Sequence, residues 1–308
     1  MTRSEGMRHE AVSSAFLTST HGEASICLEQ RMPDEILVAN HYRHGGLIEA
    51  IAAGLQELGL APDTVSVDDL APVDEFHIGG RVATESFLDQ LGIGPADHVL
   101  DVGCGLGGAS RFAARRYGCR VTGIDLSREY VETGTVLNSW VGMGDSIRLA
   151  QADASALPYR DAEFDTAFML HVGMNIAEKQ ALAVELHRVL KPGGALGIYD
   201  VMRVGEGELE FPVPWAGTAE VNAVAAPDEY TRALESAGFR VTAERNRAEF
   251  ALEFFAELQA ATAGAAGPPP LGLQILMGET TPSKVKNMIE NISQGRVAPV
   301  ELIAQRIP

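Results

Sequence analysis

The sequence predicts an α/β fold built on a doubly wound, mostly parallel sheet. Three observations carry that expectation. Between His98 and Met202, short apolar runs alternate with segments whose apolar positions recur at helical spacing, an order that right-handed crossovers turn into a parallel sheet. The first run leads into a glycine loop, DVGCGLGG (Asp101–Gly108). The second ends in Asp125, about twenty residues further on, where a carboxylate accepts hydrogen bonds from ribose hydroxyls.

The elements follow in order. Residues 1–30 are polar and aperiodic and read as an arm. Leu37, Leu47, Ile48, Ile51, Leu55 and Leu58 repeat at helical spacing, giving one or two helices with Gly45-Gly46 as a break. Ala61–Phe76, rich in Asp and Pro, reads as a connection, and Ala83–Leu91 as another amphipathic helix. His98–Val102 is the first core strand, Ala109–Tyr117 a helix and Arg120–Asp125 the second strand. Ser127 is placed to N-cap a helix running to Trp140. Ile147–Gln151 and Phe164–Val172 are the next strands. Glu178–Leu190 puts Leu182, Leu186, Val189 and Leu190 on one helical face. It stops at KPGG, a turn before the strand Ala195–Met202.

Beyond Met202 the alternation changes. Glu210–Gly217 reads as a proline-containing loop with an exposed Trp215, Ala226–Gly238 as a helix and Phe239–Asn246 as a strand. A helix over Ala248–Ala261 carries Phe250, Phe254 and Phe255 at helical spacing, expected to pack within a lid. Gly267–Gln274 is a rigid loop, Ser283–Ile292 a helix and Val300–Ile307 a last strand. The chain thus divides into an N-terminal arm and helical cap (1–75), a core (76–246), and a helical insertion with the last strand (247–308).

Composition excludes several function classes. With 46% hydrophobic and 21% charged residues, the chain can bury a full core, and disorder is not its main state. Lys+Arg of 24 against Asp+Glu of 42 gives a net charge of −18, which repels nucleic-acid phosphates and anionic membranes. No stretch reaches the roughly 18 apolar residues of a membrane span, and Met1–Thr20 lacks a signal-peptide core. Cys27, Cys104 and Cys119 form neither a metal-ligand spacing nor a disulfide framework. These features predict a cytoplasmic protein with no metal.

Gly103, Gly105 and Gly108 fit the dinucleotide pattern G-x-G-x-x-G, a weak signal alone that keeps an NAD-dependent oxidoreductase in view. Against that reading, Asp101 directly before the loop would repel a pyrophosphate yet can accept from a cationic amino group. Asp153 follows the third strand where an adenine amino group could be read, and RVLKPGG precedes the fifth. A ligand-free tight turn is the bland alternative for the loop, and a simple turn aspartate is that for Asp153.

Together, LDVGCGLGG, GID ending at Asp125, QADASALP, FDTAFMLHV and RVLKPGGALGIYD resemble the motifs of class I S-adenosylmethionine-dependent methyltransferases, over roughly Phe76–Asn246. The resemblance implies a seven-stranded, mostly parallel, Rossmann-like sheet. Val300–Ile307 would insert antiparallel beside the fifth strand, and the N-terminal helix and Ala248–Ile292 would close over the acceptor. It also implies site roles. The backbone of Gly103, Gly105 and Gly107 would line the methionine and ribose portion, with Asp101 at the α-amino end. Asp125 would hold the ribose hydroxyls, Leu126 would lie against adenine, and Asp153 and the Ala154 amide would read the adenine amino group. His77 is a candidate for the cofactor's carboxylate end, or a structural histidine.

FHIGGR, NIAEK and FPVPWA resemble the sarcosine/dimethylglycine N-methyltransferase branch, which implies a small-molecule acceptor methylated at nitrogen. O- or C-methylation of a natural product or metabolite is the alternative, and a binding protein that keeps only the cofactor pocket is a third class. His171, at the end of the fourth strand, is expected beside the methyl position, where an ordinary pKa of about 6.5 suits proton removal; a packed strand-end histidine competes with that reading. Asn175 would orient a polar acceptor. Tyr199 and Trp215 are candidates for the substrate pocket, through aromatic faces that attract a cationic amine or sulfonium, and Tyr42 joins them as a residue that could fold over the cofactor from the N-terminal helix; packing is the competing role of each. A homo-oligomer is compatible with the sequence.

Overall fold

The computed structural model describes Tyr42, residues 45–265 and residues 267–308. The expected arm over residues 1–30, Leu37 and Cys27 lie outside the described residues. Seven strands are present: β1 His98–Val102, β2 Arg120–Asp125, β3 Ile147–Gln151, β4 Phe164–Leu170, β5 Leu190–Arg203, β6 Phe239–Asn246 and β7 Val297–Arg306. They form one sheet in the order β3-β2-β1-β4-β5-β7-β6. β1 to β5 pair in parallel, and β7 inserts antiparallel between β5 and β6, as the sequence implies.

The described helices are α1 Leu47–Glu57, α2 Val67–Asp74, α3 Gly80–Leu88, α4 Gly108–Tyr117, α5 Arg128–Trp140, α6 Lys179–Val189, α7 Pro227–Ala237, α8 Ala248–Thr262, α9 Gln274–Met277 and α10 Thr281–Ser293. Strand side chains alternate between the two faces of a sheet, and the core divides accordingly. Ala167 and Met169 of β4 pack with Leu182 and Leu186 of α6, whereas Phe168 and Leu170 pack with Phe87 of α3 and Phe112 of α4. Each such buried large side chain contributes about 1.5–3 kcal/mol. On β5, the same parity buries Tyr199 completely in the α3–α4 layer.

Two elements differ from the sequence reading. Ala61–Phe76 is not a plain connection, because it contains α2. Ser66 Oγ accepts from Asp69 N at 3.3 Å while Asp69 Oδ2 accepts from Ser66 N at 2.9 Å. That reciprocal capping box starts a helix despite Pro72. KPGG is not a free turn either. β5 begins at Leu190, and its pairing with β4 jumps from Phe164↔Leu190 to Thr166↔Ala195, so Lys191–Gly194 bulges out of a continuing ladder.

The segment between β6 and β7 leaves and rejoins the sheet at one place. Asn246 pairs with Val300, and Arg247 N donates to Pro299 O at 2.8 Å. The Arg247 guanidinium pairs with buried Glu301 and covers the Phe250 ring at 4.2 Å.

Arg111, on α4, is fully buried behind the glycine loop. Its Nη2 donates to Asp74 Oδ2 at 2.6 Å and to Leu106 O at 2.7 Å, and its Nη1 donates to Asn138 Oδ1 at 2.7 Å. One guanidinium thereby joins α2, the loop and α5. The packing is close enough that a Cβ on Gly108 would lie 2.3 Å from Asp74 O. Arg111→Met should destabilise the protein by about 3–5 kcal/mol, because it strands a buried carboxylate. The double variant Arg111→Met/Asp74→Leu should recover most of that loss, as read by denaturant unfolding.

Candidate active site

Parallel strands end at a common edge, so the loops after β1, β2, β3 and β4 meet there. Residues of those loops line a cavity of about 1060 Å³, just above the ~300–1,000 Å³ of ordinary ligand pockets. Phe254 and Phe255 of α8, Met277 of α9 and Met288 of α10 line it from the segment between β6 and β7. Phe254 and Phe255 thus face the cavity as well as each other, while Phe250 lies under Arg247.

The acidic series converges as the sequence predicts. Asp101, Gly103, Gly105, Asp125, Leu126, Asp153 and Ala154 all line the cavity. Asp101 accepts from Ser110 Oγ at 2.6 Å, and burial pushes its pKa up to about 7 despite that bond. Asp125 accepts from Gly105 N at 2.9 Å and Ser127 N at 2.8 Å, which fixes the carboxylate at the strand end. Asp153 accepts from Ser155 N and Oγ, each at 2.8 Å through Oδ1, so it is a turn aspartate that also faces the cavity. Gly103 has φ 71°, and a Cβ there would lie 2.3 Å from Val172 Cγ2, so only glycine lets the two loops approach. Gly107 is different: it N-caps α4 beside Arg111 and Leu149 and does not line the cavity. Its place in the loop is structural.

His171 follows β4 in a left-handed conformation, φ 54°, at a backbone cost of about 1–3 kcal/mol. Its ring stacks on Tyr199, centroids 4.9 Å apart, and Nδ1 accepts from Ile78 N at 3.1 Å. Burial, reinforced by neighbouring His77, holds its pKa well below 6.5. The neutral ring therefore carries its proton on Nε2, which is buried and has no partner. This corrects the expectation of a histidine titrating near neutrality. His77 lines the cavity, but its Nε2 donates to Gly80 O at 3.1 Å and meets Thr84 Oγ1 at 2.9 Å; burial lowers its pKa to about 4.

Asn175 ends a short 3-10 turn, Gly173–Asn175. Its Nδ2 donates to Tyr42 OH at 3.1 Å, and its Oδ1 is buried without a partner. Lys179, which sequence reasoning missed, pins that turn: buried Nζ donates to Gly173 O at 2.9 Å, Ala223 O at 2.8 Å and Ile176 O. Tyr42 lines the cavity edge-on to Tyr130. Trp215 lines it too, but is 2% exposed rather than open, with Nε1 donating to Asn222 Oδ1 at 2.8 Å. Tyr199 does not line it: the ring is core, and its OH donates to Ile78 O at 3.1 Å. Asp74 and Glu75 also line the cavity, a contribution hidden in a stretch whose composition reads as a connection.

Among the described residues, no group of three or more His, Cys, Asp or Glu could hold a metal ion, and no helix is long and apolar enough to cross a membrane.

Residues 100–198 match a family model described as "Methyltransferase domain". It is 32% identical over 156 residues to the methyltransferase GfsG of Streptomyces halstedii, covering 51% of this chain and 54% of that protein. The chain thus spans about half the length of that relative. An O-methyltransferase of Pyrenophora dematioidea is 28% identical over 204 residues, 66% of this chain and 74% of that one. The names of further relatives extend to transfer to nitrogen and carbon. In structure, the chain is similar to geranyl diphosphate C-methyltransferase from Streptomyces coelicolor A3(2), with a TM-score of 0.64, 20% identity and coverage of 89% and 98%. At that identity the likeness is one of fold.

Two outcomes follow from the titrating groups. Ring nitrogen NMR should show His171 as a single neutral tautomer, protonated on Nε2, from pH 5.5 to 8; a titration near pH 6.5 would contradict the geometry. Asp101 binds its proton more tightly folded, about 7, than unfolded, about 3.9. Its ionisation therefore costs stability progressively from about pH 4 to pH 7. Asp101→Asn should raise the melting temperature of the ligand-free protein more at pH 8 than at pH 5.

Proposed function

We propose that this chain, which matches a methyltransferase-domain model and has a class I sheet, transfers a methyl group from S-adenosylmethionine to a small molecule. The observation that carries the reading is the convergence of Asp101, Asp125 and Asp153 on one wall of a single cavity large enough for a second ligand. When bound, S-adenosylmethionine supplies a methyl group on a cationic sulfur.

The chain's residues fit that group. Backbone at Gly103 and Gly105 leaves room for the methionine and ribose portion. The Asp101 carboxyl answers an α-amino group, and Asp125, held by two backbone amides, accepts from paired hydroxyls. Leu126 gives adenine an apolar face, with Asp153 and the Ala154 amide at its edge. Catalysis then rests on alignment and exclusion of water by the surrounding walls. His171 and Asn175 orient the acceptor. His77, engaged by Gly80 and Thr84, supports the 77–80 turn that donates to His171.

Nitrogen is the acceptor atom that asks least of these residues. A neutral amine offers its lone pair directly, whereas a hydroxyl must lose a proton, and His171 already holds one on the nitrogen left free. An oxygen or carbon acceptor would have to be acidic enough to ionise without that ring.

Calorimetry with S-adenosylhomocysteine should give low-micromolar binding, about −7 to −8 kcal/mol. Asp125→Ala should weaken it by about 1.5–3 kcal/mol. Tight binding of NADH with none of either adenosyl compound would overturn the reading. Release of S-adenosylhomocysteine across amine, hydroxyl and carbon acceptors would identify the acceptor atom.

A further inference from the structure

The charge lining the cavity is all of one kind. Asp74, Glu75, Asp101, Asp125, Asp153 and Glu178 line it, and among the described residues no lysine or arginine does. Beside the wall given to the cofactor, a carboxylate or phosphate on the acceptor would lose its hydration and meet no cation among the described lining residues. The roof offers hydrocarbon and aromatic surface instead, from Trp215, Phe254, Phe255, Leu258, Leu276 and Met288.

Gln259, Thr262, Gln274 and Thr281 add polar groups to the same segment, and after β4 two neutral lining residues carry buried polar atoms. His171 Nε2 and Asn175 Oδ1 are buried without partners, on residues that line the cavity. Their chemical senses are fixed from behind. Nδ1 of His171 accepts from Ile78 N, which leaves Nε2–H as a donor; Nδ2 of Asn175 donates to Tyr42 OH, which leaves Oδ1 as an acceptor. Buried groups of this kind are met by water, an ion or a ligand's complementary groups, and these two are on residues that line a ligand-sized cavity.

We propose that the methyl acceptor is an uncharged, mainly hydrocarbon molecule whose polar head both accepts a hydrogen bond from His171 and donates one to Asn175. This rests on the methyltransferase reading of the cavity. A hydroxyl, with two lone pairs, has the required head and keeps one pair for the methyl; a neutral amine has it where a second atom of the molecule takes the methyl. A free amino acid of the sarcosine type does not, because its carboxylate would go unpaired; nor does a diphosphate.

The test displaces a neutral fluorophore, N-phenyl-1-naphthylamine, excited by energy transfer from tryptophan, from the full chain saturated with S-adenosylhomocysteine. The competitors share one octylphenyl skeleton: 4-octylphenol, 4-octylaniline, 4-octylanisole and 4-octylbenzoate. The phenol or the aniline should compete at about tenfold lower concentration than the anisole, which lacks the donor. It should compete at about a hundredfold lower concentration than the benzoate. The stronger of the two identifies the head.

Leu258 lines the cavity and is 44% exposed, so it tolerates a long charged side chain. Leu258→Arg should improve the benzoate at least about tenfold relative to the phenol. Benzoate competing as well as phenol in the unaltered protein, or anisole matching both neutral heads, overturns the proposal. If S-adenosylhomocysteine itself fails to bind, the cofactor reading falls. The same displacement series on the ligand-free protein still decides the acceptor class.

Discussion

The buried guanidinium of Arg111 is the constraint on which the glycine-loop end of the cavity depends. A charge removed from water needs well-placed partners. Here the two terminal nitrogens find them on three separate stretches of chain, Asp74, the Leu106 carbonyl and Asn138, while Nε has none. Satisfying one side chain therefore fixes where α2 meets α4, how the glycine loop is folded, and how α5 lies against both. Gly107 and Gly108 make that convergence sterically feasible. Asp101 and Asp125 then face the cavity from strand ends whose following loops have little freedom.

Across the rest of the cavity, burial more than pairing sets the protonation of polar groups. It pulls the two facing imidazoles, His77 and His171, toward the neutral form and pushes Asp101 to about 7. Outside the lining, Asp200 behaves alike, pushed up to about 6 while bonded to Tyr230 OH at 2.6 Å. Lys179 holds the Gly173–Asn175 turn with three carbonyls as partners. The interior thus disfavours unpaired charge of either sign, and hydrogen-bond direction is its main means of discrimination.

Much of this was legible from residue order. The spans of β1, β2, β3 and β6 coincide with the sequence reading; in the first three, short runs with apolar residues at alternating or successive positions are bounded by turns and have few alternative conformations. The acidic residues at strand ends were legible because sheet topology, not side-chain detail, brings them together. What escaped was decided at long range. Arg111 lies on a helix otherwise read by its apolar face, and its partners Asp74 and Asn138 are 37 and 27 residues away in sequence. Tyr199 and Trp215 carry the composition of a binding pocket. Whether either touches the cavity depends on strand parity in one case and on the fold of a proline-containing loop in the other. The proton position on His171 is set by an amide 93 residues away, beyond the reach of any local pattern.

Residues 247–296 depart from β6 and return to β7 at a point where Asn246 and Val300 already face each other across the ladder. The sheet closes its hydrogen bonds there whatever the intervening chain does. That segment supplies much of the cavity roof, while the strand-end loops supply the acidic wall. Such an arrangement gives the two sides of the cavity unequal tolerance of change. The wall is locked by a buried charge and close glycine contacts. The roof segment, leaving and rejoining the ladder at one place, could change in length or sequence without changing the pairing of the sheet beneath it.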